Sequence, residues 1–275
     1  MITEENYYAV NNKGLSQSKI KMYAKDPNYM YRGCITGELK KKDAKHFMIG
    51  SEVDGILTEM DKRDNVIISP YDDYRTKEAR EWKEDMIAAG KIPCKQDEYE
   101  DIMAIAIAVQ ETEVWQDIEK NFTTQEIIQI PDNTLGEHFD CRYGKPDAYK
   151  INEDGICELL DLKTSVTVDK DKFFYKAKDL GYFTQLKYYS QLLQEKYPQI
   201  KGFRYWFMVA EKSEPFRVVL FSIPVELVER EESDLRYLIA EISERTDWSR
   251  PSVRWYDAIK LTDPRSSDWD DDGEE

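Results

Sequence analysis

GKPD at residues 144–147 and ELLDLKT at residues 158–164 are the two stretches around which the chain is organised. The second stretch is dominated by apolar residues and follows a strong turn signal, a pattern that predicts a buried strand. Alternate side chains share one face of a strand, so Asp161 and Lys163 are expected to point the same way and Leu162 the opposite way. A carboxylate and an ammonium group on an apolar strand are costly to bury unless something uses them.

The turn sequence NEDG at residues 152–155 suggests how a second acid joins this pair. If the segments before and after the turn pair as a hairpin, Asp147 and Asp161 converge on one point beside Lys163. Two carboxylates offer the hard oxygen ligands that Mg²⁺ prefers, and a neighbouring lysine can act on water or on a phosphate. The simpler alternative is a surface salt bridge between Asp161 and Lys163 at a strand end.

The composition describes a globular protein with an acidic balance. The 275 residues carry a net charge of −16, and 34% of them are charged. A chain of this length can bury a large core, as one domain with elaborations or as two small domains. The charge argues against a surface built for nonspecific nucleic-acid binding, although a locally basic groove remains compatible with it.

Neither a membrane protein nor a zinc ribbon is expected. No apolar run approaches membrane-spanning length, and the N-terminus lacks the basic and apolar regions of a signal peptide, so we expect a cytoplasmic protein without membrane association. The four cysteines form no C-x-x-C pair, which argues against a zinc ribbon and favours free thiols.

The order of periodic segments predicts an α/β protein of the α+β type, with one central mixed sheet of about five strands flanked by helices. The expected helices span residues 16–26, 46–60, 74–89, 96–120, 180–197 and 225–245. The expected strands span residues 125–130, 135–149, 155–163, 203–210 and 216–223. A helical portion at about 1–122 and a sheet core at about 123–246 then form a single domain, 1–262.

Two further clusters carry candidate binding residues. Gln185 and Tyr189 lie four residues apart on the expected helix 180–197, with Tyr182 three residues before Gln185, so the three share one helix face. They could bind a phosphate or a carboxylate; alternatively, the tyrosines of an amphipathic helix pack on the sheet. The clearest basic cluster is expected to contact phosphates or to form a solvated loop, and consists of Lys40, Lys41, Lys42 and Lys45.

The ordered set Pro146-Asp147, Asp161-Leu162-Lys163, Gln185 and Tyr189 resembles the PD-(D/E)XK nuclease superfamily, and in particular its RecB-type branch with the motif Q-x-x-x-Y. The closest resemblance is to the RecE-like, exonuclease VIII family of phage-type recombination exonucleases, whose pattern also matches LSQS at residues 15–18 and GY at 181–182. The resemblance spans roughly residues 12–225 and implies a restriction-endonuclease-like core.

The resemblance also implies a role for each motif residue. Asp147 and Asp161 are expected to hold Mg²⁺, or Mn²⁺, with the carbonyl of Leu162 as a further ligand. Lys163 is expected to orient water or to stabilise the transition state, and Gln185 and Tyr189 to position the DNA backbone or Lys163.

One position departs from the family pattern. The branch usually carries a histidine metal ligand where this chain has Asp54, which can still bind Mg²⁺ or can mark a degenerate site. An iron–sulfur cluster, found in some relatives, is not expected because no cysteine follows Cys157.

The implied activity is 5′ to 3′ digestion of one strand of duplex DNA, in a bacterial cytoplasm or a phage-infected host cell. A single-strand annealing protein is the implied partner, and a homo-oligomer is a further expectation. The alternatives are a structure-specific endonuclease of the superfamily and a catalytically degenerate DNA-binding or assembly protein.

The end of the chain forms a separate feature. Residues 263–275 contain seven acids and one arginine, a net charge of −6, and are expected to form a disordered acidic tail. The tail could solubilise the protein, dock through Trp269 on a partner, or compete with DNA for a basic groove.

Overall fold

The computed structural model describes residues 1–9, 12–39 and 66–248, together with Val53 and Leu57. The strands in this part of the chain are β1 Gly14–Leu15, β2 Val66–Ile68, β3 Ile92–Cys94, β4 Thr123–Thr124, β5 Ile128–Pro131, β6 Cys141–Gly144, β7 Ala148–Ile151, β8 Ile156–Ser165, β9 Gly202–Glu211 and β10 Val218–Ile223. The α-helices are α1 Gln17–Lys25, α2 Pro27–Met30, α3 Lys77–Ala88, α4 Gln96–Gln110, α5 Glu113–Asn121, α6 Lys170–Asp179, α7 Tyr182–Lys196, α8 Val225–Glu229 and α9 Glu231–Glu244. A 3₁₀ turn, Glu4–Asn6, and a π-helical turn, Tyr31–Ile35, complete the described elements.

The main sheet has five strands in the order β10-β9-β8-β7-β4. The β8–β9 pair is parallel and runs from Ile156 opposite Gly202 to Ser165 opposite Glu211, whereas the other neighbours pair antiparallel. A parallel pair needs a long connection, and here α6 and α7 supply it. The predicted α/β fold class with a mixed, helix-flanked sheet of five strands is therefore confirmed.

A tight turn joins β7 to β8, as the NEDG sequence predicts. The N–H of Gly155 donates to the carbonyl of Asn152 at 2.9 Å, and Gly155 has a φ of +85°, which L side chains rarely adopt. The turn sets the register in which Ala148 lies opposite Leu160. This hairpin brings the end of the GKPD stretch beside the centre of β8.

The two faces of the main sheet bury different layers of the chain. Leu159 on β8 and Phe207 on β9 belong to the larger core, which includes residues of α6, α7 and α9. Leu160 and Leu162 belong to the second core, with residues of α4 and α5. Alternation along β8 therefore directs Asp161 and Lys163 toward the α6–α7 side.

Several predicted elements differ from the structure. The helix expected at 96–120 is two helices, because Thr112 caps α5 by accepting a hydrogen bond from the N–H of Trp115 at 3.1 Å. The helix expected at 225–245 likewise divides into α8 and α9.

The strand expected at 135–149 is also wrong as one strand. It divides into β6 and β7, and β6 pairs with β5 and β1 in a separate three-stranded sheet. A further small sheet joins β2 to β3, inside the portion expected to be helical.

Some predictions concern residues outside the described part of the chain. These are most of the helix expected at 46–60, including Asp54, the lysines at 40–42 and 45, and the acidic tail at 263–275. Within the described ranges, no helix has both the length and the apolar character needed to cross a membrane.

Candidate active site

Asp161 and Lys163 form a buried pair on β8. The side chain of Asp161 is 1% exposed and that of Lys163 is 14% exposed, and the Lys163 ammonium forms an ion pair with Oδ2 of Asp161. Apart from this ion pair, neither oxygen of Asp161 accepts a hydrogen bond from the described residues. Buried carboxylates normally accept several hydrogen bonds, so this side chain is incompletely satisfied by the protein.

Asp147 lies directly before β7 and reaches the same place from the neighbouring strand. Its Oδ2 accepts a hydrogen bond from the N–H of Leu162 at 2.7 Å, and its Oδ1 accepts one from Nε2 of Gln125 at 3.4 Å. Gln125 also donates its own N–H to the Asp147 carbonyl at 3.2 Å, from a backbone with a φ of +52°. The hydrogen bond to Leu162 places the Asp147 carboxylate between the positions of Asp161 and Lys163.

The charges of these three residues act on one another. Burial raises the pKa of the Asp161 carboxyl, and the Lys163 ammonium opposes that rise. Burial lowers the pKa of Lys163, but the negative charges of Asp161 and Asp147 outweigh it, so the pKa of Lys163 is raised overall. Lys163 therefore keeps its proton at neutral pH in the metal-free protein.

Helix α7 covers this site with the Q-x-x-x-Y residues. Gln185 donates from Nε2 to the hydroxyl of Tyr189 at 3.3 Å, which shows that the two share a helix face. Tyr182 presents its ring to Lys163, with the ammonium 4.7 Å from the ring centroid. Burial raises the pKa of Tyr189, and the charges of Asp161 and Asp147 add to that rise. The structure thus brings the predicted residues of α7 to the two carboxylates.

Lys145 and two residues of the N-terminal segment, Glu4 and Tyr7, lie near the site, and sequence patterns did not identify them. Lys145 is buried, forms an ion pair with Glu4 at 3.2 Å, and lies with its ammonium 5.8 Å from the ring centroid of Tyr7. Burial raises the pKa of Tyr7, and the charge of Asp147 contributes to the rise. The lysine of the GKPD stretch, Lys145, was the one signal in the sequence for these contacts. Nothing in the first residues indicates that they pack beside Asp147.

A second lysine was also missed. Lys21 on α1 donates from Nζ to the carbonyl of Leu180 at 2.6 Å, and Leu180 is the residue that follows the last residue of α6. Burial lowers the pKa of Lys21, and the positive charge of Lys163 lowers it further. Its ammonium therefore lies within electrostatic range of the buried pair.

The remaining candidates divide between described and undescribed residues. The side chain of Leu162 lies in the core on the opposite face of the sheet, so only its backbone groups face Asp147. Asp54 and the basic cluster lie outside the described residues, although Val53 is buried in the same core as Leu162.

The donor set around Asp161 is chemically suited to a hard divalent cation. The charges of Asp147 and Asp161 both act on Lys163, and Asp161 is buried with oxygens that lack hydrogen-bond donors beyond the Lys163 ammonium; carboxylate oxygens of this kind are the ligands that Mg²⁺ prefers. Across the described residues, no group of three or more His, Cys, Asp or Glu side chains gathers into a metal cluster. A cation here would therefore be held by a small acidic set.

Comparisons with known proteins place the chain in a family. Residues 16–251 match the model of the PDDEXK-like domain of unknown function (DUF3799), and the chain belongs to that family. No curated protein matches it.

Among solved structures, a protein of Eubacterium rectale named as a candidate exonuclease aligns with a TM-score of 0.60 at 15% identity, covering 88% of this chain and 86% of that one. The structure of SSO0001 aligns over 70% of this chain and 85% of that one at 16% identity, and its TM-score of 0.30 is too low to support an argument. The first likeness shows that the two chains share a fold, and the family match supports a PDDEXK-type nuclease at the level of the superfamily.

Proposed function

We propose that this chain is a metal-dependent deoxyribonuclease that hydrolyses phosphodiester bonds at the Asp147–Asp161–Lys163 site. The observation that carries the proposal is the buried Asp161 carboxylate, whose oxygens lack hydrogen-bond donors other than the ammonium of Lys163. A fold retains an unsatisfied buried acid at a cost to stability, and perturbed ionisable groups of this kind concentrate at functional sites. Family membership supports the same class of reaction.

Asp147 and Asp161 would hold the cation, Mg²⁺ or Mn²⁺, with the Leu162 carbonyl and Asp54 as further candidate ligands. When bound, such an ion supplies Lewis acidity toward a phosphoryl oxygen and acidifies water. The hydrogen bond from Leu162 N–H to Asp147 keeps this carboxylate directed at β8. Gln125 restrains its second oxygen.

Lys163 would stabilise negative charge on the phosphate rather than act as a general base. Without a bound ion, burial lowers the pKa of Lys163 but the negative charges of Asp161 and Asp147 raise it overall, and a fixed cation in a buried site is an effective electrostatic catalyst. The ring of Tyr182 limits where this ammonium can move. Gln185 and Tyr189 would fix the position of α7 against the site and offer polar groups to the DNA backbone.

At the finer level we propose an exonuclease that digests duplex DNA from its ends in the 5′ to 3′ direction. This rests on the motif resemblance to the RecE-like family and on the name of the Eubacterium rectale neighbour. A role in phage-type recombination and a single-strand annealing partner extend the same proposal. A structure-specific endonuclease is the alternative within the superfamily.

The test compares an end-labelled linear duplex with a closed circle in Mg²⁺, Mn²⁺ and EDTA. We expect cleavage of the linear duplex that requires the divalent ion. Asp161→Asn and Lys163→Ala should each reduce the rate by about 10²- to 10⁴-fold. Asp171→Asn is the matched control, because Asp171 is exposed on the first turn of α6.

Circular dichroism should show that each variant is folded. Wild-type rates in folded Asp161→Asn would refute the assigned site. Cleavage of the circle at the same rate as the linear duplex would favour the endonuclease. Absence of cleavage and of divalent-ion binding in calorimetry would favour a degenerate DNA-binding protein.

A further inference from the structure

Helix α6 presents two aromatic rings to solvent. The side chain of Phe174 is 37% exposed and that of Tyr175 is 66% exposed. The two rings lie edge to face, with their centroids 5.6 Å apart. The ring of Phe174 also lies 5.8 Å from the ring of Phe183, a buried residue of α7. The pair is therefore held against the core on one side while it remains exposed on the other.

Lysines bracket these rings along the helix. Lys170, Phe174 and Lys178 follow one another at intervals of four residues, so they lie along one line of the helix surface. Lys172 lies three residues before Tyr175 and is exposed, as are Lys170 and Lys178. Within the part of the chain that the structure describes, none of these three lysines forms an ion pair. Helix α6 carries four lysines and two aspartates, a local excess of positive charge in a chain of net charge −16.

The helix is connected to the candidate active site through Tyr182. The ring centroid of Tyr182 lies 4.7 Å from the Lys163 ammonium and 6.4 Å from the ring centroid of Phe173. Phe173 directly precedes Phe174 on α6, and its buried ring stacks on Phe221 at 5.3 Å. One aromatic ring therefore separates the cation of the site from the helix that carries the exposed pair.

Exposed rings bracketed by lysines fit a single strand of nucleic acid. Every unpaired base has a flat face that stacks on an aromatic ring, and the phosphates that link the bases attract cations. The bases of an intact duplex are already stacked on one another, so their faces are not accessible to these rings. Because the chain as a whole repels a polyanion, a strand that reaches the site depends on local groups of cations.

We propose that the rings of Phe174 and Tyr175 stack on unpaired bases of the DNA strand that reaches the site, as a stacking platform. The three exposed lysines of α6 bind phosphates of the same stretch. The proposal rests on the nuclease function proposed above, and it adds the form of the substrate: the strand is unpaired where it passes α6. The residues of the platform bind the strand and touch no reacting atom.

The first test measures the affinity for a fluorescent single-stranded oligonucleotide by anisotropy in EDTA, so that no cleavage occurs. Tyr175→Ala removes a ring that is mostly exposed, so the fold should remain intact. We expect this variant to bind about tenfold more weakly, the order expected for the loss of one stacked base. Tyr175→Phe should bind like the wild type because it keeps the ring. Tyr237→Ala is the matched control, because Tyr237 is 62% exposed on α9.

Two more variants separate the roles of the rings and the lysines. Phe174→Leu keeps an apolar side chain against Phe183 but removes the ring, so it should also weaken binding. Tyr175→Ala should lower the affinity without changing the slope of log affinity against log salt. Lys170→Gln/Lys178→Gln should reduce the magnitude of that slope by about 1.4, at about 0.7 for each phosphate of single-stranded DNA.

The second test locates the stacked bases with 2-aminopurine, a fluorescent base whose emission falls when it stacks on an aromatic ring. The base is placed at successive positions of the oligonucleotide, and the emission of each complex is measured in EDTA. At one or two neighbouring positions, emission should be lower in the wild-type complex than in the complex of Phe174→Leu/Tyr175→Ala. Tyr175→Phe should give the wild-type pattern.

Equal affinities of Tyr175→Ala, Phe174→Leu and Tyr237→Ala would overturn the stacking platform, as would the same emission pattern in the wild type and the double variant. If light scattering shows an oligomer that Tyr175→Ala converts to a monomer of unchanged affinity, the rings form an interface between copies instead. If the wild type cleaves no DNA but the emission pattern holds, the proposed function fails and the platform stands. If it cleaves DNA but the pattern is absent, only the platform fails.

Discussion

Gly144, in the GKPD stretch, offers a direct test of how packing supports the site. A methyl group added at this glycine would lie 2.8 Å from Cε1 of Tyr189 and 3.0 Å from Cδ1 of Leu192. Both neighbours are buried on α7, so neither can move into solvent. Gly144→Ala should therefore push the ring of Tyr189 away from β6. The Tyr189 hydroxyl, which accepts a hydrogen bond from Gln185, should move with the ring.

The magnitude follows from two opposing effects. Overpacking of a buried site costs about 1–3 kcal/mol. Replacing glycine with alanine recovers about 0.4–1 kcal/mol by restricting the unfolded chain. The net destabilisation should be about 1–2 kcal/mol, which corresponds to a fall in Tm of about 2–8 °C for a domain of this size. A displacement of Tyr189 by a fraction of an ångström should also slow cleavage, by up to about 10²-fold.

Gly202→Ala provides the matched control. Its added methyl group would lie 3.3 Å from Cδ1 of Ile156, the far end of a flexible side chain at the start of β8 in the main sheet. The Tm of both variants should be measured by thermal unfolding. Their rates on linear duplex DNA should be measured at a temperature well below both Tm values. If Gly144→Ala matched Gly202→Ala in both stability and rate, the contact between Gly144 and Tyr189 would not support the site.

Two further predictions concern tyrosines and acids around α7. Tyr189→Phe keeps the ring against Gly144 but removes the hydroxyl that accepts a hydrogen bond from Gln185. The free energy of unfolding should fall by only about 0.5–1.5 kcal/mol, while cleavage slows. An unchanged rate with intact stability would remove Tyr189 from the functional residues. Glu126 accepts hydrogen bonds from Lys196, Tyr149 and Tyr197. Burial acts to raise the pKa of Glu126, but these hydrogen bonds lower that pKa overall. Because the folded pKa is depressed, this contribution to stability is present above the unfolded pKa of about 4.3 and is lost as the pH falls through the folded pKa. Glu126→Gln should therefore flatten the acid side of a plot of Tm against pH, and an identical acid limb in the variant would exclude this linkage.

The central hairpin and its sheet could be predicted because their signals are local. The turn at 152–155 has the glycine that its left-handed backbone requires, and the apolar run after it forms β8. The start of α1 is equally local, because the side chain of Ser16 caps it by accepting from the N–H of Lys19. In each case the deciding interaction lies within a few residues.

Other elements depend on contacts between distant segments. β1 has only two residues, and its parallel pairing with β6 joins Gly14 to Cys141, so no side-chain periodicity marks it. Helix α6 was not predicted because only Phe173 and Ala177 of its ten residues are buried. A stripe of two residues is too weak to indicate a helix by periodicity.

The site shows the same division between local and distant information. Alternation on β8 and the four-residue spacing on α7 indicated Asp161, Lys163, Gln185 and Tyr189 as candidates, and the resemblance of the ordered set to the nuclease superfamily selected them. Gln125, Tyr7 and Lys145 reach the site through the positions of separate segments, which a single sequence does not reveal.

The buried pair on β8 occupies the place where the scaffold is most regular. Ten residues of β8 pair in parallel with β9, and Phe173, Tyr182 and Phe183 surround Phe207, the residue opposite Asp161, at centroid distances of 5.9–6.0 Å. Well-packed apolar residues in place of a buried ion pair are often more stabilising, by about 1–4 kcal/mol. The same strand face is apolar at Leu159, so apolar residues at positions 161 and 163 would fit the pattern. Two charges inside this well-packed frame would suit the electrostatic catalysis proposed above, because the surrounding aromatic and backbone contacts would hold the charges in place before a ligand binds.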